Sequence, residues 1–286
     1  MTLSQFSRRN LLISGAAVCC CSSHALLAQE AAVDEEEGTV VCAELHPSEA
    51  EVSTVLDTLS EEYDGSDLPS PEEAAALRVH PVWGRWNTNR ITSNKPLRVG
   101  FTSYHPTMNG IVEEAAREWQ KHMDLRFEFA ESNLDILVQQ DASGNNSYLG
   151  VASRAFAQQG KSSLNLQNFD LHSKRVKLGV AMHELGHALG LIHEHQNPEA
   201  GIDFNEPAVY EYFSTNYGWD DEKTKRNVIE RYSLHGQYAV GARTEFDPDS
   251  IMMYALPASL LKNANTGFKK NYVLSGLDKA LIDNIY

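Results

Sequence analysis

The sequence predicts an α+β fold: a twisted mixed sheet backed by helices, with a smaller C-terminal subdomain. Three observations point there. From about His80 to Tyr286 the chain reads as one globular domain of about 200 residues, a normal size for a single core. Its apolar pattern runs strand, helix, strand, strand before one long helix, and that order suits a mixed sheet with helices packed against it. The helix then stops at Gly190 and gives way to less regular chain.

Taken in order, Leu97-Arg98-Val99-Gly100-Phe101 alternates like a strand. Asn109 is placed to cap a helix from Gly110 to about Met123, with Ile111, Ala115 and Trp119 on one face. Leu125 to Phe129 and Leu134 to Val138 alternate again, and the polar residues Asp141 to Asn146 read as a loop. Ser147-Tyr148-Leu149-Gly150-Val151 and Ser163-Leu164-Asn165-Leu166 look like short edge strands. Val176 to Gly190 is expected to form the longest of these helices. Residues 206–232 have mixed helical character, and Leu274-Ser275-Gly276-Leu277-Asp278 opens a final helix ending near Tyr286.

The first 28 residues are expected to be removed. Arg8 and Arg9 precede an apolar stretch that runs to about Leu27, the pattern of a twin-arginine export signal. That stretch is short and interrupted by Ser14, Gly15, Ser22, Ser23 and His24, which favours cleavage over a membrane anchor. Of four cysteines, three lie in this signal and Cys42 alone follows it, so the exported chain has no internal disulfide to form. Export from a bacterial cell, to the periplasm or beyond, is the expectation, with no stable membrane insertion after signal cleavage.

Charge is distributed unevenly. Between Glu30 and Glu73 stand fifteen Asp and Glu and no Lys or Arg, whereas 24 acids and 21 bases follow Arg78. The formal charge of −15 is therefore mostly a property of residues 29–79. Nothing in this distribution suggests a nucleic-acid partner. The acidic stretch is either a solubilising linker or a prosegment covering the site. As a prosegment it offers two kinds of metal blocker, the Cys42 thiolate or the carboxylate of Asp64 or Asp67.

Residues 183–194 read His-Glu-Leu-Gly-His-Ala-Leu-Gly-Leu-Ile-His-Glu. His183 and His187 are four apart, so on a helix both project from one face and can share a metal ion. Glu184 stands where it can reach a metal-bound water. Gly190 lets the chain leave the helix through a left-handed turn, and His193 can swing back as a third ligand. A fourth zinc position is then left for water, as a catalytic site needs. An alternative third ligand is a downstream glutamate, Glu206 or Glu211.

A second motif, Phe246-Asp247-Pro248-Asp249-Ser250-Ile251-Met252-Met253-Tyr254, follows downstream. The extended histidine motif followed by a methionine-containing turn resembles the metzincin class of zinc peptidases, and within it the astacin-type family. Glu194 after the third histidine, the Ser250–Tyr254 turn, and Ser147–Gly150 with Ser163-Leu164 carry that resemblance over roughly residues 80–286. It implies a zincin fold divided into an N-terminal subdomain to about residue 192 and a C-terminal subdomain over 193–286. It implies one catalytic Zn2+ on His183, His187 and His193, with Glu184 as general base. Met252 would form the apolar floor under the metal. Tyr254 would stabilise the oxyanion, and Glu194 would anchor the domain. Tyr148, Leu149 and Gly150 would form the edge to which an extended peptide or protein substrate adds. Met253 departs from the histidine usual at its place. His195-Gln196-Asn197-Pro198-Glu199 lacks the Arg and Asp pattern of animal astacins, and the family's disulfides are absent, so a bacterial astacin-like branch is expected. Matrix-metallopeptidase-like proteins are the near competitor.

The expected activity is endopeptidase cleavage by a monomeric enzyme. Two other readings of the same motifs are a secreted, non-proteolytic zinc-binding or adhesion module and an amidase acting on a cell-wall link. The intact Glu184 argues against the first.

Overall fold

The computed structural model describes residues 41–63, 84–141, 144–167, 171–232 and 244–286. The expected signal and the acids Asp64 and Asp67 lie outside the described residues. Among the described residues, six strands form one mixed sheet: β1 (Cys42–Leu45), β2 (Leu97–Phe101), β3 (Phe127–Phe129), β4 (Ile136–Gln139), β5 (Asn145–Tyr148) and β6 (Leu164–Asn165). Their order is β1-β5-β6-β4-β2-β3. The β5–β6 pair is antiparallel and the others are parallel. The mixed sheet expected from the strand-helix-strand order is therefore present.

Two elements arise from the acidic segment, which the sequence left as linker or prosegment. One is β1. The other is helix α1 (Val52–Tyr63), whose Val55 and Leu59 are fully buried in the main hydrophobic core. Burial of such side chains contributes about 2 kcal/mol each. Glu62, one turn on, enters a buried ionic cluster. It meets Arg90 at 2.6 and 2.9 Å and Arg154 at 3.2 Å, while Asp135 holds the other side of Arg90 at 3.1 Å. Arg90 lies on the short helix α2 (Asn89–Thr92), over the Trp86 ring.

Helix α3 (Pro106–Gln120) begins one turn earlier than the sequence suggests. His105, not Asn109, is its cap: the His105 ring accepts from the Met108 N–H, and Pro106 follows with the backbone angle a first helical turn needs. Its inner face, Met108, Ile111, Val112, Ala115 and Trp119, packs on helix α5 (Lys174–Ala188). The Trp119 indole donates to the Met182 carbonyl at 2.9 Å. Leu149 and Gly150 leave the sheet, contrary to the strand expected over Ser147–Val151, and Val151 opens helix α4 (Val151–Ala157). Gly150 turns the chain at φ +44°, which ends the alternation.

After α5 the chain builds a second hydrophobic cluster around Phe204, Val209, Phe213, Val228 and Met253. Helix α6 (Glu206–Tyr217) and helix α7 (Asp221–Thr224), followed by a π-turn over Lys225–Ile229, supply most of it. Helix α8 (Gly276–Ile285) returns to the main core through Ile282, and Tyr286 just after it does the same. Among the described residues no helix is long and apolar enough to cross a membrane.

Candidate metal centre

Helix α5 is buried on nearly every side from Gly179 to Ala188, so its polar residues must find partners inside the protein. His183 directs Nδ1 to the Ile251 carbonyl at 2.7 Å, and His187 directs Nδ1 to the Leu191 carbonyl at 2.8 Å. Each bond places the ring proton on Nδ1 and leaves a lone pair on Nε2. Gly190, at φ +93°, closes the helix, with the Leu191 N–H donating back to the Gly186 carbonyl. The turn brings His193 to the same point. Its Nδ1 lies 3.3 Å from the Gln196 amide oxygen and 3.4 Å from Glu44.

The Nε2 atoms of His187 and His193 stand 3.1 Å apart. With both ring protons on Nδ1, two lone pairs face one another, an arrangement that calls for a cation. The Cys42 sulfur completes the set at 3.3 Å from His187 Nε2 and 3.5 Å from His193 Nε2. All four donors, those of Cys42, His183, His187 and His193, lie within 4.8 Å of one another. Tetrahedral zinc with bonds of about 2.0–2.1 Å to nitrogen and 2.3 Å to sulfur separates its ligands by about 3.3–3.6 Å. The donor set fits it in chemistry, and the Cys42, His187 and His193 separations of 3.1–3.5 Å fit it in spacing. His183 Nε2 and one Glu184 oxygen are buried with no hydrogen-bond partner among the described residues, as atoms facing a metal or its water would be.

Electrostatics agree. Burial holds all three imidazoles in the neutral form, with His187 pushed down to about 3. Burial likewise pushes the Glu184 carboxyl up, and burial together with the neighbouring Glu184 pushes the Cys42 thiol up. Cys42 donates its S–H toward Glu184 at 3.5 Å. A divalent cation inverts this balance and makes the thiolate the stable form.

The Phe246–Tyr254 segment lies under this cluster. Met252 packs against Gly186, where an added Cβ would approach the Met252 sulfur to 2.6 Å, so glycine is what lets the turn sit directly beneath the helix. Met253 points the other way, into the second cluster with Phe204 and Leu256. An apolar side chain therefore fits there in place of the family's histidine. The Tyr254 hydroxyl donates to the Cys42 carbonyl, and its ring centre is 4.4 Å from that of His193. Glu194 is anchored by hydrogen bonds, accepting from Asn197 Nδ2 and the Asp247 N–H, each at 2.9 Å.

Glu206 starts α6, and neither it nor Glu211 belongs to the four-donor cluster. Tyr148 ends β5, whose outer side is taken by β1, with Cys42 opposite Asn145 and Leu45 opposite Tyr148. The family model of the astacin peptidases matches residues 83–271.

The chain belongs to the astacin family.

The structure of myroilysin is similar to this astacin-family chain at 30% identity and a TM-score of 0.59, over 66% of this chain and 91% of that one. A crystal structure of myroilysin matches 87% of this chain and 92% of that one, at 26% identity and a TM-score of 0.52. Zinc metalloproteinase nas-38 of Caenorhabditis elegans is 30% identical over 128 residues. That stretch covers 44% of this chain but only 16% of the nematode protein.

Sequence reasoning missed several groups at this astacin-family site. Lys270 brings its ammonium within 3.2 Å of His183 Nδ1, adding positive charge beside Cys42 and Glu184. Glu44 is buried, accepting from the His193 N–H at 3.2 Å and the Tyr232 hydroxyl at 2.7 Å. Its backbone N–H donates to Asn227. Glu44 lies two residues from Cys42, and that strand spacing was the available signal. Lys270 lies in a Lys-Lys pair outside any periodic element and gave none.

Proposed function

We propose that this chain is an exported zinc endopeptidase held latent by its own first strand. The observation that carries the reading is the convergence of one thiol, three imidazole nitrogens and one carboxylate on a single buried point. When bound, zinc supplies the Lewis acidity that makes water nucleophilic near neutral pH and polarises the scissile carbonyl. His183, His187 and His193 would hold it as neutral donors and so would leave its charge undiminished. Glu184 takes the proton of the attacking water and delivers it to the leaving amine. Tyr254, freed from the Cys42 carbonyl, donates to the developing oxyanion. Met252 keeps the floor apolar and dry.

In the latent chain the Cys42 thiolate would join the three imidazoles in holding the metal. Residues 29–79 serve as prosegment and residues 80–286 as the peptidase domain, with export directed by residues 1–28. The position of β1 along β5 supports this division, since β1 occupies the row of backbone groups that an extended peptide would need. It also favours Cys42 over an aspartate as the blocking group. In the processed enzyme Tyr148, Leu149 and Gly150 border the freed edge, and the substrate is a peptide or protein chain.

The test is a peptide-library digest with processed protein, Glu184→Ala processed protein, and the unprocessed chain with and without Cys42→Ala. Internal cleavage by the processed wild type alone among the first two is expected, with Cys42→Ala raising the activity of the unprocessed chain. Equal cleavage by Glu184→Ala sinks the mechanism. No gain on Cys42→Ala sinks the thiolate lock.

A further inference from the structure

The reading of His183 as a zinc ligand has a structural support that lies outside the histidine motif. Asp278, in the first turn of α8, is 5% exposed and uses both carboxylate oxygens. One accepts from the Ser250 hydroxyl at 2.6 Å, and the other from the Ile251 N–H at 2.8 Å and the Ser275 N–H at 2.9 Å. Ser250 in turn accepts from the Met252 N–H at 3.0 Å. The carbonyl of the same Ile251 takes the Nδ1 proton of His183 at 2.7 Å. The chain of contacts therefore runs from a carboxylate, through one peptide residue, to a ring whose Nε2 faces the metal point. No backbone hydrogen bond of a helix or strand fixes Ile251, which lies in a turn.

We propose that Asp278 is a positioning residue for the metal centre, fixing the orientation and tautomer of His183 through the backbone of Ile251. A carboxylate suits this task better than a neutral group. It accepts from both Ser250 and Ile251, and its charge strengthens both bonds in a buried place. The Ile251 carbonyl shares its peptide unit with the Met252 N–H, which donates to the Ser250 oxygen that itself donates to Asp278. This relay polarises the unit and keeps the Ile251 carbonyl a good acceptor, and an imidazole that donates to a firm acceptor is a more basic and better oriented ligand. Asp278 touches neither metal nor substrate, so its effect must appear first in metal binding.

Asp278 also closes the N-terminal capping box of α8 with Ser275, so loss of helix stability is the alternative explanation for any effect. The comparison that separates the two roles is with Ser275→Ala, which also removes the Ser275 hydroxyl's bond to Asp247 at 2.5 Å. Ser275→Ala breaks the box and leaves the Ser250 and Ile251 contacts of Asp278 in place. Asp278→Ala breaks both, while Asp278→Asn retains one oxygen able to accept from Ile251. Zinc affinity is measured on the full chain by competition with a chelator, and the cobalt-substituted protein reports ligand geometry by its visible absorption. Asp278→Ala is expected to weaken zinc about 10- to 100-fold and to shift the cobalt bands, since partners behind a ligand act at that scale. Asp278→Asn should recover part of the loss, and Ser275→Ala should lower the melting temperature with affinity and spectrum unchanged. Zinc affinity for Asp278→Ala within twofold of wild type, or an equal loss in Ser275→Ala, overturns the proposal. If Asp278→Ala does not fold, Asp278→Asn decides, and wild-type affinity and spectrum there overturn it too. A wild-type chain that binds zinc but cleaves no peptide would instead count against the peptidase reading alone.

Discussion

Replacing Glu62 with glutamine should loosen the whole segment from Cys42 to Tyr63. The Glu62 side chain is 2% exposed and meets two guanidinium groups that are 3% and 13% exposed. Two buried carboxylates, Glu62 and Asp135, face the two arginines, and the exposed Glu61 reaches Arg154 from the solvent side at 3.3 Å. The substitution leaves Arg154 with only the exposed Glu61 at 3.3 Å and the shared Asp135 at 3.7 Å, and breaking a buried pair this way costs about 3–5 kcal/mol. Asp135 still holds Arg90 at 3.1 Å, which places the cost near the lower end, about 3 kcal/mol, or roughly a hundredfold in the docking equilibrium. Urea unfolding followed by tryptophan fluorescence reads this directly, because Trp86 lies against Arg90. The Glu62→Gln chain should unfold at a midpoint lower by about 1–2 M urea, and it should leak peptidase activity before processing. The neighbouring Glu61→Gln is the control. Its side chain is 64% exposed where it meets Arg154, so its effect should stay within about 0.5 kcal/mol. A Glu62→Gln midpoint indistinguishable from that of Glu61→Gln would refute the claim that this carboxylate holds the helix.

Glu184→Gln should lower peptide cleavage by the processed enzyme about 10²- to 10⁴-fold while zinc content by elemental analysis stays near one ion per chain. Tyr254→Phe should lower kcat about 10²-fold with KM little changed, as loss of one oxyanion donor does; an equal rise in KM would point to a binding role. Stripping metal with a chelator should lower the melting temperature of the full chain, and added zinc should restore it. A ligand bound at a hundred times its Kd contributes about 2.7 kcal/mol. Equal melting temperatures with and without metal would contradict a centre in which the His187 and His193 lone pairs face each other at 3.1 Å.

The zinc motif was legible because ligand chemistry is written at fixed helical spacing: His183, His187, Gly190 and His193 need only the geometry of one helix and one turn. Strand β2 was legible for the same reason, as alternation over Leu97–Phe101 is local. The fate of the acidic segment was not. Its hydrophobic residues are sparse, and Val55, Leu59 and Glu62 acquire meaning only from Arg90, Arg154 and the core far along the chain. The start of α3 was misplaced because a histidine ring did the capping that Asn109 is better known for. Leu149 and Gly150 continued a strand-like pattern that a positive φ interrupts. Lys270 and Asp278 reach the centre through tertiary contacts with no spacing to betray them.

The turn over Met252–Tyr254 sends successive side chains to different places: Met252 into the main core, Met253 and Tyr254 into the second one. The two halves of the protein are therefore riveted by three consecutive residues, and the rivet passes beneath the metal point. Neither half can swell or melt without disturbing the floor on which the imidazoles converge. The geometry of the four-donor cluster is thus tied to the integrity of both halves at once, and a chain with one half misfolded would have no point at which the three imidazoles meet.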